Sequence, residues 1–199
     1  MNDKTSTQPL VQHSFDPFAQ QPVYRQVNQR LVDLVKDRLN GSTIADIAAG
    51  TGLISQICCE FGNPKRIILI DIDNDALKEA RKQLDSYSKK TSISYVHADA
   101  QALPLQPATV DIGFIANSIH NMEFKDAVIE CASTAIKQRG YLVFNTTFFE
   151  GAYVRGTERL WLGWTLAARR WIKERGLPFE SQREETAEAR KFLKPEEYE

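Results

Sequence analysis

No apolar run in this sequence approaches the roughly 18 residues that a membrane span requires, so none is expected. The opening stretch MNDKTSTQPLVQHS is polar and lacks the apolar centre of a secretory leader. Cysteine is scarce. The three present, two of them adjacent (Cys58, Cys59), match neither a disulfide framework nor metal-ligand spacing. They are expected to be reduced thiols acting as small apolar side chains in a cytoplasmic protein, with no metal bound. Charge of one sign is also missing: 25 Lys and Arg stand against 26 Asp and Glu. Without a basic field to gather phosphates, neither nucleic acid nor a membrane surface is an expected partner. Short basic pairs such as Lys89-Lys90 and Arg169-Arg170 read as solvated surface.

What is present is an alternation. After a polar arm (1–14), Val23, Val27, Leu31, Leu34, Val35 and Leu39 recur at helical spacing until Gly41. A short apolar strand over 44–48 follows, then a helix over 53–61 closed by Gly62. RIILID (66–71) has no polar alternation, as in a strand covered on both faces. Asp73 or Asn74 can cap the next helix, whose inner face carries Leu77, Ala80 and Leu84. Further strands are read over 92–99, 109–117 and 140–148, with a helix over 124–135 between the last two. Strand and helix in alternation imply right-handed crossovers. The expected fold is a Rossmann-like, doubly wound and mostly parallel sheet of order 3-2-1-4-5. Its ligand belongs at the carboxyl ends of the strands. This domain is placed at 15–150. Residues 151–199 read as a helical lid, with a long helix over 155–176, and an incomplete C-terminal part.

The first strand runs into IADIAAGTGLIS (44–55), where Ala48, Gly50 and Gly52 make a tight turn into a helix. The dinucleotide fingerprint Gly-x-Gly-x-x-Gly asks for a third glycine where Ser55 stands. The helix N-terminus still favours an anionic group, and a turn that binds nothing is the competing reading. Asp71 ends the second strand, placed to accept hydrogen bonds from ribose hydroxyls. A helix cap is the other role for a carboxylate there, but Asp73 and Asn74 already offer one. Asp99 ends the third strand on the same rim and suits the exocyclic amine of an adenine. Two acids on successive strand ends describe a nucleoside pocket.

This succession, AxGxG, then IDID, then AD with LPL beyond, then VDIGFIANSIHNM, resembles the class I S-adenosylmethionine-dependent methyltransferases, most closely their small-molecule branch. It covers roughly residues 15–148, and FDPFAQQPVY (15–24) is similar to the lead-in those enzymes place over the cofactor. The resemblance implies that Ala48, Gly50 and Gly52 border the methionine part of S-adenosyl-L-methionine and that Asp46 orients its ammonium group. It implies that Asp71 holds the ribose, Ile72 packs on the adenine, Asp99 and the backbone of Ala100 read the adenine edge, and Asn117 lies near the sulfonium. S-adenosyl-L-homocysteine would be the product. Two departures stand out: Ala48 replaces a customary glycine, and the last two of the family's seven strands cannot be found.

Methyl transfer from a sulfonium mainly needs alignment and exclusion of water. A base is needed only where the acceptor must lose a proton. His120, after the fourth strand, is the candidate base, with a loop-orienting histidine as the alternative. Trp161, Trp164 and Trp171 form either an aromatic wall for a hydrophobic acceptor or ordinary core packing. The fourth strand lacks the Asn/Asp-Pro-Pro-aromatic run of enzymes that methylate nucleobase amines, so the expected acceptor is a small, hydrophobic or aromatic metabolite. Two other functions stay open: an NAD-dependent oxidoreductase, and a non-catalytic methyltransferase-like module. The latter would self-associate through an exposed fifth strand.

Overall fold

The computed structural model describes residues 21–146 and, beyond them, residues 163, 166, 167, 170, 171 and 173–176. Helix α1 (Pro22–Asp33) leads into β1 (Thr43–Ile47), α2 (Leu53–Phe61), β2 (Arg66–Asp71) and α3 (Asn74–Leu84). Then follow β3 (Ser92–His97), β4 (Val110–Ala116), α4 (Lys125–Ala135) and β5 (Ile136–Asn145). The five strands form one sheet, ordered β3-β2-β1-β4-β5, with every neighbouring pair parallel. Among the described residues no helix is long and apolar enough to cross a membrane.

The period-two geometry of a strand explains why the inner strands are apolar throughout. On β2, Ile67 and Leu69 join the core beneath α1, α2 and α3, while Ile68 and Ile70 join the core beneath α4. On β1, Ile44 goes to the first face and Ala45 and Ile47 to the second. Phe114 of β4 lies on the first face with no exposure at all. Each such buried side chain contributes about 1.5–3 kcal/mol of transfer free energy. The same parity sends Asp46 of β1 and Asp71 of β2 toward the α2–α3 side.

Several boundaries differ from the sequence reading. The first helix ends at Asp33 and gives way to a 3-10 turn, Lys36–Arg38. Its inward positions are Asn28, Leu31, Val32, Val35 and Leu39, whereas Val23, Val27 and Leu34 are exposed. β1 stops at Ile47 because Ala48 turns left-handed, at φ 55°. β5 starts at Ile136 with no loop after α4, since Ile136 already has extended angles. The polar residues 137–139, outside the strand expected over 140–148, belong to it and form a bulge, with Arg139 at φ 68° and a register shift between Val110 and Ile112. Of the long helix expected over 155–176, residues 163, 166, 167, 170, 171, 173 and 174 are described, and each is helical.

Candidate functional site

Three strand ends build one rim. At β1, the turn needs left-handed backbone at Ala48, Gly50 (φ 53°) and Gly52 (φ 84°). The two glycines do different work. A Cβ on Gly52 would lie 3.1 Å from Ala80 Cβ and 3.1 Å from a Leu69 methyl, so Gly52 lets α2 and α3 close on the sheet. A Cβ on Gly50 would meet nothing within 4 Å. Gly50 therefore borders open space, and Gly52 does not.

At β2, Asp71 ties the corner together. Its Oδ2 accepts a 2.7 Å hydrogen bond from Gly50 N, and its Oδ1 accepts one of 2.8 Å from Asp73 N. Asp71 is half-buried, and carboxylate oxygens can each accept a further bond, so capacity remains for vicinal hydroxyls. The helix cap is Asp73, which accepts from Asp75 N and Ala76 N at the start of α3. Ile72 follows with 69 % of its surface exposed, an apolar platform left in the open.

At β3, the strand ends at His97, and Asp99 lies just beyond it. Asp99 caps a 3-10 turn, Ala100–Ala102, accepting from Gln101 N at 2.8 Å. Gln101 Nε2 lies 3.3 Å from both Asp99 oxygens. The exposed Asp99 thus stands on the same rim as Asp71, joined to it by Ala98 N donating to Asp71 O at 3.0 Å.

Asp46 lies under the glycine turn, 2 % exposed. Its Oδ2 accepts from Ser55 Oγ at 2.7 Å and from Ser55 N at 3.2 Å. Burial pushes its carboxyl up to about 7; the Ser55 bonds oppose this, and the neighbouring Asp71 charge adds to it. A cation arriving here would restore the ionised form. Ser55, the residue standing where a third glycine was sought, is the partner that makes this buried acid tolerable.

Past β4, Asn117 takes a left-handed φ of 53° and anchors a polar network. Its N donates to Asn145 Oδ1 (2.8 Å), and its Oδ1 accepts from Asn145 Nδ2 (3.0 Å). Its Nδ2 donates to Asn28 Oδ1 (3.0 Å) and to Tyr24 Oη (3.3 Å). The network binds α1 to the tips of β4 and β5. Asn117 is committed to it through both ends of its amide. Ser118 Oγ, next along, is buried without a hydrogen-bond partner among the described residues. Such a hydroxyl is ordinarily satisfied by water or a ligand.

His120 lies half-buried in the following 3-10 turn, its Nδ1 3.3 Å from Thr146 Oγ1. Burial, and then the nearby Lys125 charge, hold its ring below its ordinary value, which favours the neutral imidazole. Lys125 is itself 8 % exposed and donates to Met122 O at 2.8 Å, closing that turn. Trp171 is exposed, with Arg175 4.1 Å from its ring centroid. Trp161 and Trp164 lie outside the described residues.

A family model described as a methyltransferase domain matches residues 45–144, half of the chain and all of the rim just built. The chain belongs to the class I S-adenosylmethionine-dependent methyltransferases. Within that family it is similar to the ubiquinone/menaquinone biosynthesis C-methyltransferase UbiE of Shewanella oneidensis, 33 % identical over 104 residues. The match covers 52 % of this chain and 41 % of that protein. UbiE of an Enterobacter species is 31 % identical over the same shares. The chain thus spans about two-fifths of the length of these curated relatives. Solved methyltransferase structures share the fold. An S-adenosylmethionine-dependent methyltransferase from Mesorhizobium loti aligns with TM-score 0.51 and 23 % identity, covering 59 % of this chain and 51 % of that one. The [4+2]-cyclase SpnF aligns with TM-score 0.54 and 22 % identity, covering 61 % and 45 %.

In this methyltransferase domain the rim residues found from sequence come together: Gly50, Asp71 and Ile72 share one corner, and Asp99 and Ala100 stand across from them. Asn28 and Asn145 were missed. Asn28 sits on a helix among apolar positions and Asn145 near a strand end, and neither has a spacing signal. The contact made by His97, at the end of β3, is described below.

Proposed function

We propose that the protein transfers a methyl group from S-adenosyl-L-methionine to a small, hydrophobic or aromatic metabolite. The observation that carries this reading is the bond from Gly50 N to Asp71 Oδ2. It puts the glycine turn, with open space beside it, and the ribose-seeking acid in one corner. The residues fit the cofactor. Asp71 would accept the ribose hydroxyl protons, Ile72 would cover one adenine face, and Asp99 with the Ala100 backbone would meet the adenine edge. Ala48, Gly50 and Gly52 would border the methionine part, with Asp46 compensating its ammonium and Asn117 near the sulfonium. When bound, the cofactor supplies a methyl group already activated on positive sulfur.

The chain's own task is then alignment and exclusion of water. His120, kept neutral by burial and by Lys125, would take the proton of an acceptor hydroxyl where one must leave. Trp161, Trp164 and Trp171 would wall the acceptor side. The relatives' names, which place them in quinone biosynthesis, favour an aromatic acceptor. Among the described residues β5 is the sheet edge beside β4, and self-association through it is part of the proposal. Light scattering on the purified chain reads that directly.

Calorimetry with S-adenosylmethionine, S-adenosylhomocysteine and NAD tests the cofactor. Binding of both sulfur ligands is expected; binding of NAD alone overturns the assignment. Because the fold also serves a [4+2]-cyclase, binding does not establish transfer. Release of S-adenosylhomocysteine in the presence of phenolic acceptors does. Trp164→Ala is expected to raise KM for the acceptor and leave cofactor affinity unchanged.

A further inference from the structure

Hydrogen bonding between β2 and β3 continues past the last backbone pair. Asp71 is in register with His97, and Ala98 N donates to Asp71 O at 3.0 Å. The next carbonyl, that of Ile72, is met by a side chain: His97 Nε2 lies 2.8 Å from Ile72 O. A carbonyl only accepts, so Nε2 carries the proton. The imidazole thus does for the Ile72 peptide what a further strand residue would have done. The residue it anchors, directly after Asp71, holds a large apolar side chain in the open.

We propose that His97 is a positioning residue for the adenosine: it clamps the Ile72 carbonyl and so sets both the seat of Ile72 against the purine and the separation between Asp71 and Asp99. This rests on the cofactor reading above. A side chain whose only task was to finish the strand would act on stability and leave the affinity of the folded protein for either nucleoside unchanged. A clamp on Ile72 acts on the nucleoside end alone. The anchored bond is exposed to solvent, so its loss is expected to weaken nucleoside binding by about two- to tenfold.

The test is calorimetry on the full chain with S-adenosylhomocysteine and with 5′-methylthioadenosine, which keeps the adenosine and lacks the amino-acid group. His97→Gln places an amide N–H as many bonds from Cα as the imidazole Nε2; His97→Asn stops one bond short. We expect His97→Ala and His97→Asn to weaken both ligands by the same factor, and His97→Gln to bind within about twofold of wild type. Asp46→Asn, acting at the methionine end, should weaken S-adenosylhomocysteine alone. The proposal is overturned if His97→Ala binds methylthioadenosine like wild type, if its loss is confined to S-adenosylhomocysteine, or if His97→Gln is as impaired as His97→Asn. Wild-type protein that binds neither nucleoside overturns the cofactor reading and this one together. Wild-type binding beside an indifferent His97→Ala overturns this one alone.

Discussion

On the proposed function, Asp46 is expected to make cofactor affinity depend on pH in a range where most carboxylates are silent. Burial holds its carboxyl near 7, and the ligand's ammonium calls for the ionised form. A group titrating near 7 is about one-eleventh ionised at pH 6 and about ten-elevenths at pH 8, so S-adenosylhomocysteine should bind about tenfold tighter at pH 8. Methylthioadenosine, which brings no ammonium, should show no such slope. Asp46→Asn keeps an oxygen for Ser55 and removes the titration, so its profile should be flat. Any contribution from His120, which titrates lower, persists in that variant and is separated by it. Folding supplies an independent check. The neutral carboxyl is favoured in the folded chain, while the unfolded chain ionises near its ordinary value. The stability contribution is therefore full below about pH 4, falls as pH rises toward about 7 and is level beyond, by at most about 4 kcal/mol. Urea midpoints at pH 5 and pH 8 should diverge for wild type and less so for Asp46→Asn. Equal S-adenosylhomocysteine affinity at pH 6 and 8, or the same slope in Asp46→Asn, would refute the reasoning.

Other outcomes follow from the backbone and the polar network. Ala48 holds a left-handed φ at a cost of about 1 kcal/mol, so Ala48→Gly should raise Tm by about 2–4 °C in a thermal scan. Gly52→Ala should lower stability by about 1–3 kcal/mol, because its methyl meets Ala80, Leu69 and Leu84. Gly50→Ala should cost about 1–2 kcal/mol yet impair S-adenosylhomocysteine binding far more, since its methyl enters the open space beside the turn. Asn145→Leu leaves Asn117 N without its acceptor and should cost about 1–3 kcal/mol in chemical denaturation; an unchanged midpoint would mean water replaces the lost bonds.

Asp71 was legible because a buried parallel strand shows as an unbroken apolar run, and the first polar residue after it must lie on the rim. RIILID followed by Ile72 announces Asp71 in this way. The β5 start was illegible for the opposite reason: KQRG is polar, yet an edge strand tolerates polar residues, and a register irregularity takes up the extra ones, Val110 pairing with Ile136 and Ile112 with Tyr141. The inward face of α1 was read by apolar content, which favoured Val23, Val27 and Leu34; the buried Asn28 shows that polar partners on the sheet can override it.

By itself the sequence determined the order of elements, the parallel sheet and the place of the glycine turn, since these follow from local periodicity and short-range turn chemistry. Only the tertiary structure decided which glycine serves packing and which faces open space, because that depends on Ala80 and Leu84 of α3 and Leu69 of β2 closing on the start of α2. It alone decided that Asp46 is buried on Ser55 while Asp71 bridges to Gly50. Strand parity assigns both acids to one face, but the helix packed above each sets how much water it keeps, and with it its charge.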